Sequence, residues 1–334
     1  MRRAAFLRRR AFLVSRSTTT TAMALSSSAF HALFKSSSRI SWKSTGKLQQ
    51  TLAGSLEKAG VGLHSGEVAT VKIRPHLAGG GRCFDLRSRL VPASIDHVEE
   101  SPLCTTLSKD GCRVRTVEHL LSALEATGVD NCRIEVVGLD AGDCDVEVPI
   151  LDGSAGEWVE AIEGVGLEVA KDACGNSLEK MAPYLDEPVH VRRNDSFVVA
   201  FPSSQVHISC GINFPHVPSI GCQWFSSSIE YDSFYKREIA PSRTFCIYEE
   251  VEKMRSSGLI KGGSLENALV CSADKGWLNP PLRFDEEPCR HKALDLIGDL
   301  SLFARCGSQG LPVGHVVAYK SGHALHAGFL RCLL

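Results

Sequence analysis

The chain has 334 residues, 43% hydrophobic and 22% charged, an ordinary globular composition with room for two domains that excludes fibrous and wholly disordered classes. Ten of its 37 Lys and Arg residues and none of its 38 Asp and Glu residues fall in positions 1–50. The remainder is acidic and lacks the basic, aromatic-bearing stripe that a nucleic-acid surface needs.

No apolar run reaches the roughly 18–20 residues of a membrane-spanning helix, so the chain reads as soluble. The thirteen cysteines form no C-x-x-C pair and are odd in number, which fits reduced thiols in a reducing compartment.

The opening segment sets Arg2, Arg3, Arg8, Arg9, Arg10 and Arg16 among Ser/Thr runs, with Phe6, Leu7, Phe12 and Leu13 adding apolar residues. Arg-rich, Ser-rich and acid-free is how an organelle transit peptide reads, and the early arginines lean mitochondrial rather than plastid. Residues 1–45 are therefore set apart from the fold.

In the first half, Gly60 to Gly66 is a Gly-punctuated turn and Val68 to Arg74 alternates as a half-buried strand. Gly79-Gly80-Gly81 lacks the following G-K-[ST] of a phosphate loop and reads as a flexible turn. Cys104 to Arg115 reads as a hairpin around Asp110-Gly111. Val117, Leu120, Leu121 and Leu124 then repeat at helical spacing up to Gly128, and Asn131 to Val137 alternates as a strand. Asp140, Asp143, Asp145 and Glu147 do not match a calcium-loop spacing and read as a solvated acidic loop. Pro149 to Ser154 turns into a helix through Trp158 and Ile162, and about 171–183 reads as the linker.

In the second half, Val189–Val191, Phe197–Phe201 and Val206–Cys210 read as a meander. A loop around Ser242 to Phe245 leads to a helix through Val251 and Met254, and Ala268–Cys271 is a short strand. A helix over Arg290 to Asp299 follows, with a stop at Gly307, and then a strand over His315–Lys320. Each half thus runs strands, helix, strand, a weak internal echo that suggests two similar α+β layers facing one another.

The chemistry concentrates on two helices. His291, Asp295 and Asp299 stack at i, i+4 and i+8 beside an apolar stripe of Ala293, Ile297 and Leu300. Such a stripe suits a shared small ion, and an ordinary helical His–Asp hydrogen bond is the plain alternative. Glu118-His119 opens the other helix as a carboxylate beside an imidazole, which serves equally as a polar face or as base and ligand of a metal hydrolase.

Six motifs in order, Gly60-Val61-Gly62-Leu63-His64-Ser65-Gly66, Thr116-Val117-Glu118-His119-Leu120, Pro149-Ile150-Leu151-Asp152-Gly153-Ser154-Ala155, Ser242-Arg243-Thr244-Phe245, His291 to Asp299, and Lys320-Ser321-Gly322-His323-Ala324-Leu325, resemble the UDP-3-O-acyl-N-acetylglucosamine deacetylase family, the zinc amidases of lipid A biosynthesis. The resemblance runs from about Leu52 to the C-terminus. It implies two α+β domains, over 46–175 and 184–334, each a sheet layered with two helices, with the site between them. It further implies one zinc per chain on His119, His291 and Asp295, and a monomer. Glu118 is implied as the base, Thr244 as an oxyanion donor, and His323 as an imidazolium oriented by Asp299. Lys292 and Lys320 are implied to meet the diphosphate, Phe214 to stack on uracil, and Phe245 to bind substrate with them. Leu259 to Ser264 would border the acyl chain. The chain departs from the bacterial pattern at His326, where Asn is usual, in a longer loop over Gly138–Val146, and in a short last helix. A non-catalytic binding protein and an amidase for a different acyl sugar are the competing readings.

Overall fold

The computed structural model describes residue 34 and residues 36–138, 144–229 and 233–334. The expected targeting segment up to residue 33, and the Asp140 and Asp143 positions, lie outside them. Alternation builds the first sheet: Ala69, Val71 and Ile73 of Val68–Pro75 turn inward, with Val71 opposite Val136 and Ile73 opposite Ile134. The expected hairpin joins Thr106–Lys109 to Cys112–Arg115, and Asp110 and Gly111 both take the positive φ that a tight two-residue turn requires.

Two five-stranded sheets carry the fold. The first runs Leu56–Val61, Val68–Pro75, Cys132–Gly138, Arg82–Leu86, Arg89–Pro92; the second runs Val189–Arg193, Ser196–Pro202, Gly314–Tyr319, His207–Phe214, Gly221–Ser228. The strand order is the same in both. In each, the last strand in sequence enters the middle, antiparallel to one neighbour and parallel to the other. The echo between the halves is thus a repeated topology.

Six α-helices lie among the described residues: α1 Glu118–Ala126, α2 Gly156–Val165, α3 Phe234–Glu238, α4 Tyr248–Ser256, α5 Glu287–Leu300 and α6 His323–Leu333. Helices α1 and α5 each precede the central strand of their sheet, and they pack on one another. Leu120, Leu121, Leu124, Leu294, Leu296 and Ile297 are fully buried in one core that runs through both halves. Each such side chain stabilises by about 1.5–3 kcal/mol, an upper range because unfolded chains already hide some apolar surface.

Three boundaries differ from expectation. Ile40–Leu48 is a strand, so the boundary expected at residue 45 falls inside it. It pairs antiparallel with Glu179–Leu185, which turns the end of the expected linker into a strand as well. Helix α5 ends at Leu300 and tightens into a short 3-10 turn, Ser301–Phe303. Gly307 has another purpose: a Cβ there would lie 2.3 Å from the Gln49 side-chain oxygen.

Buried polar groups join the halves. Gln49 donates to the carbonyls of Glu179 (3.3 Å) and Cys306 (2.9 Å), while its oxygen accepts from the Gly79 amide and the Asn131 side chain. Glu125, on α1, accepts from the amides of Gly310 (2.9 Å) and Leu311 (3.0 Å), and its other oxygen lies 2.6 Å from the Arg82 guanidinium. Burial alone would raise the Glu125 carboxyl, but Arg82 and Lys180 outweigh it and the group is held below its ordinary value. A carboxylate with a depressed folded pKa stabilises above its unfolded value, and that stability is lost as pH falls through the folded one. Glu125→Gln, which strands Arg82, is expected to cost about 3–5 kcal/mol in denaturant unfolding at neutral pH, and the gap from wild type should narrow on acidification. Equal stability at pH 7 would show that the pair contributes little.

Candidate metal centre and active site

Pro288 at the start of α5 suits a first helical turn, and buried Glu287 beside it accepts from Arg243 Nε (2.8 Å), the Arg243 amide (3.0 Å) and the Arg283 amide (2.6 Å). This fork holds the Ser242–Phe245 loop against the helix. One turn on, His291 Nδ1 donates to the Ser242 carbonyl at 3.0 Å. Burial pushes the His291 imidazole down to about 4, so it is neutral and its Nε2 offers a lone pair.

That lone pair faces Asp295 Oδ1 at 3.3 Å, and His119 Nε2 lies 3.5 Å from the same oxygen. The two imidazole rings meet edge to face, 4.9 Å apart. Among the described residues, His119, His291 and Asp295 offer ligand atoms that all lie within 4.8 Å of one another. Burial would raise the Asp295 carboxyl, but the Lys292 ammonium, 2.6 Å from Oδ2, favours the carboxylate and the group lies well below the ordinary range. Asp295 Oδ1 is buried and has no hydrogen-bond partner. A buried anionic oxygen facing a second lone pair needs a cation between them, so this trio fits a metal ion.

Asp299, His323 and His326 form a second group of closely spaced ligand atoms. These are bonded to each other: Asp299 Oδ2 meets His323 Nδ1 (2.7 Å) and His326 Nδ1 (2.6 Å), and Oδ1 accepts from the Thr105 hydroxyl (2.5 Å). The carboxylate is satisfied without an ion. Burial disfavours the His323 imidazolium, yet Asp299 and Glu118 outweigh it and raise the group to about 9. His323 Nε2 points to Glu118 Oε1 at 4.0 Å. Burial raises the Glu118 carboxyl, whose Oε2 accepts from the Thr105 amide at 3.0 Å.

Glu118 and His119 are brought here by a close crossing of α1 and α5. Gly298 sits against the Glu118 backbone so tightly that a Cβ would lie 2.1 Å from the Glu118 carbonyl oxygen. Just before α1, Thr116 holds a positive φ of 56°, a costly conformation for a β-branched residue. Its hydroxyl donates to Glu147 at 2.8 Å, and Glu147 also accepts from the amides of His64 (2.9 Å) and Ser65 (2.8 Å). Glu147 is thus buried, contrary to the expected solvated loop, because the amides of the Gly60–Gly66 turn require an acceptor. A Cβ at Gly62 would lie 2.5 Å from that carboxylate.

Ten of the eleven residues singled out in the sequence, all but Asp299, line a single cavity of about 930 Å³. Thr244 is held there by its amide, which donates to the Gly153 carbonyl at 2.8 Å. Phe214 and Phe245 meet edge to face at 5.6 Å. Lys320 is ion-paired with Asp195. Beyond this polar end the wall is apolar, with Leu63, Ile150, Ile247, Val251, Met254 and Ile260. Thr105, Glu147, Glu287 and the Ser242 carbonyl escaped the sequence reading. Their partners lie 31 to 194 residues away or on backbone atoms, which leave no periodic signal.

The family model described as UDP-3-O-acyl N-acetylglycosamine deacetylase (LpxC) matches residues 49–334. The chain is 61% identical over 298 residues to a protein of Arabidopsis thaliana named probable UDP-3-O-acyl-N-acetylglucosamine deacetylase 1, mitochondrial, covering 89% of this chain and 91% of that one. It is 48% identical over 292 residues to a UDP-3-O-acyl-N-acetylglucosamine deacetylase of Trichormus variabilis, covering 86% and 98%. A protein of the same name from Thermosynechococcus vestitus is 45% identical over 289 residues, covering 85% and 93%.

The helix crossing gives a direct test. Gly298→Ala is expected to force α1 from α5, lowering stability by about 1–3 kcal/mol and separating His119 from Asp295. Bound metal per chain and denaturant midpoints would read both effects. An alanine variant with wild-type values for both would refute the importance of the contact.

Proposed function

Because the chain belongs to the UDP-3-O-acyl N-acetylglycosamine deacetylase (LpxC) family, we propose that it is the enzyme that removes the N-acetyl group from UDP-3-O-acyl-N-acetylglucosamine, a step of lipid A biosynthesis. The observation that carries the reading is the orphaned, buried Asp295 Oδ1 between two imidazoles, with Glu118 and His323 beside it in the same cavity. His119, His291 and Asp295 would hold one Zn²⁺ per chain. When bound, such an ion supplies a Lewis acid that polarises a carbonyl oxygen and acidifies water.

The protein's own groups then divide the work. Glu118 takes the proton of the attacking water; its burial keeps the carboxyl basic, and the Thr105 amide fixes its direction. The Thr244 hydroxyl donates to the oxygen on which charge develops at the acetamide carbon. His323, charged below about pH 9, stabilises that charge and protonates the departing amine, and Asp299 holds its ring in place. Lys292 and Lys320 meet the diphosphate, which has to draw them from Asp295 and Asp195. Phe214 stacks on the uracil, and Phe245 packs on the sugar. The apolar wall, Ile260 included, takes the acyl chain, at about 25 cal/mol per Å² buried.

The two sheets with their helices act as two domains of a monomer around this site, with the paired strands Ile40–Leu48 and Glu179–Leu185 spanning the boundaries expected at 46 and 184. The Arg- and Ser-rich opening segment, and the mitochondrial designation of the Arabidopsis thaliana relatives, support import into mitochondria.

Mass spectrometry of UDP-3-O-acyl-N-acetylglucosamine incubated with zinc-loaded protein should show loss of one acetyl group. Intact substrate would overturn the proposal. His119→Ala, His291→Ala and Asp295→Ala should lose both zinc and activity, whereas Glu118→Gln should keep zinc and lose roughly 10²- to 10⁴-fold in rate. Loss of zinc from Glu118→Gln would mean that its role is wrongly assigned. Because His323 acts as an acid, kcat should fall as pH rises through about 9. A rate flat to pH 10 would exclude its imidazolium.

A further inference from the structure

The reading above leaves unused a fully buried imidazole directly behind the site. His326 has no exposed surface, and both of its nitrogens are engaged. Nδ1 lies 2.6 Å from Asp299 Oδ2 and Nε2 lies 2.8 Å from the Ser321 hydroxyl. With the carboxylate as acceptor, Nδ1 carries the proton, and the neutral ring accepts the Ser321 O–H at Nε2.

Two consequences follow from where these partners lie. First, His323 and His326 stand at i and i+3 on α6 and converge on the same carboxylate oxygen, at 2.7 Å and 2.6 Å. With the Thr105 hydroxyl on Oδ1, three donors from two elements fix the Asp299 carboxylate in position and rotation. Second, Ser321 lies in the turn that delivers His323. That turn follows Lys320, which has a positive φ of 50°, and Gly322 caps α6 with no side chain. The Ser321–His326 bond ties this turn, which has no side-chain cap, to the first turn of the helix through a side-chain contact.

We propose that His326 is a positioning residue of the deacetylation, clamping Asp299 and the Ser321–His323 turn together so that His323 Nε2 is aimed at the reacting nitrogen. It touches neither substrate nor metal. The proposal rests on the roles given above to His323 and Asp299.

The test uses the zinc-loaded protein with His326→Ala, His326→Asn, Ser321→Ala and His323→Ala, measuring kcat and KM by acetyl release, bound zinc, and thermal unfolding. Asn can place an amide N–H toward Asp299 but cannot also reach Ser321. His326→Ala should lose roughly 10- to 100-fold in kcat, with KM and zinc content unchanged, as for outer partners that orient an active group. His326→Asn should recover most of that loss, and Ser321→Ala should lose only roughly 2- to 10-fold. Wild-type kcat in His326→Ala would overturn the proposal. So would equal losses in the Ala and Asn variants, or a loss that follows zinc content. If His326→Ala does not fold, His326→Asn decides: a folded variant near wild-type kcat supports the clamp, and one as inactive as His323→Ala overturns it. Full activity in His323→Ala would instead overturn the underlying reading of the site.

Discussion

The arrangement of the whole site depends on van der Waals contact between two helix backbones. A single helix can present His291 and Asp295 together, because residues four apart share a face, but it cannot surround an ion. The third group has to come from elsewhere. Gly298 removes the side chain that would keep α1 away, and His119 arrives 3.5 Å from Asp295 Oδ1 as a result. Glu118 arrives with it, because it is the preceding residue on the same helix. The proposed ligands and base are therefore assembled by packing between the halves, and neither half contains them alone.

Three buried carboxylates outside the proposed site groups hold the segments that carry them. Glu287 fixes the loop whose Ser242 carbonyl selects the His291 tautomer. Glu147 restrains the strained Thr116 turn that launches α1. Glu125 fastens the far end of α1 to the backbone of the second half. Each is an anion taken out of water, tolerable because amides, hydroxyls or guanidinium groups receive it. Losing one such partner costs more than a surface pair of the same length would, because the remaining group stays buried.

Much of this was legible in the residues. Helical spacing marked α1 and α5, strand patterns marked Val68–Pro75 and Cys132–Gly138 of the first sheet and four of the five strands of the second, and Asp110-Gly111 marked its turn. Ten of the eleven residues named for the site, all but Phe214, lie in the ordered motifs, and ten of the eleven, all but Asp299, line one cavity. What was illegible shares a cause. Glu147 looked like one more acid in a solvated loop, because the amides that claim it belong to a turn more than eighty residues earlier. Strand Ile40–Leu48 was hidden in a basic, Ser-rich stretch, because its stability comes from pairing with Glu179–Leu185 and not from its own pattern. Gly307 looked like a helix stop, because close approach to Gln49 leaves no trace in neighbouring residues.

The pairing of Ile40–Leu48 with Glu179–Leu185 bears on the history and the biogenesis of the chain. It lays the first strand among the described residues along the strand that leads into the C-terminal half, as an exchanged arm does between the subunits of a swapped dimer. A chain built this way is not two modules on a string. During synthesis the leading arm has to wait, unpaired, until some 130 further residues have been made. Throughout that interval the exposed strand edge is a surface that a chaperone can occupy and that a second copy can mistake for its own.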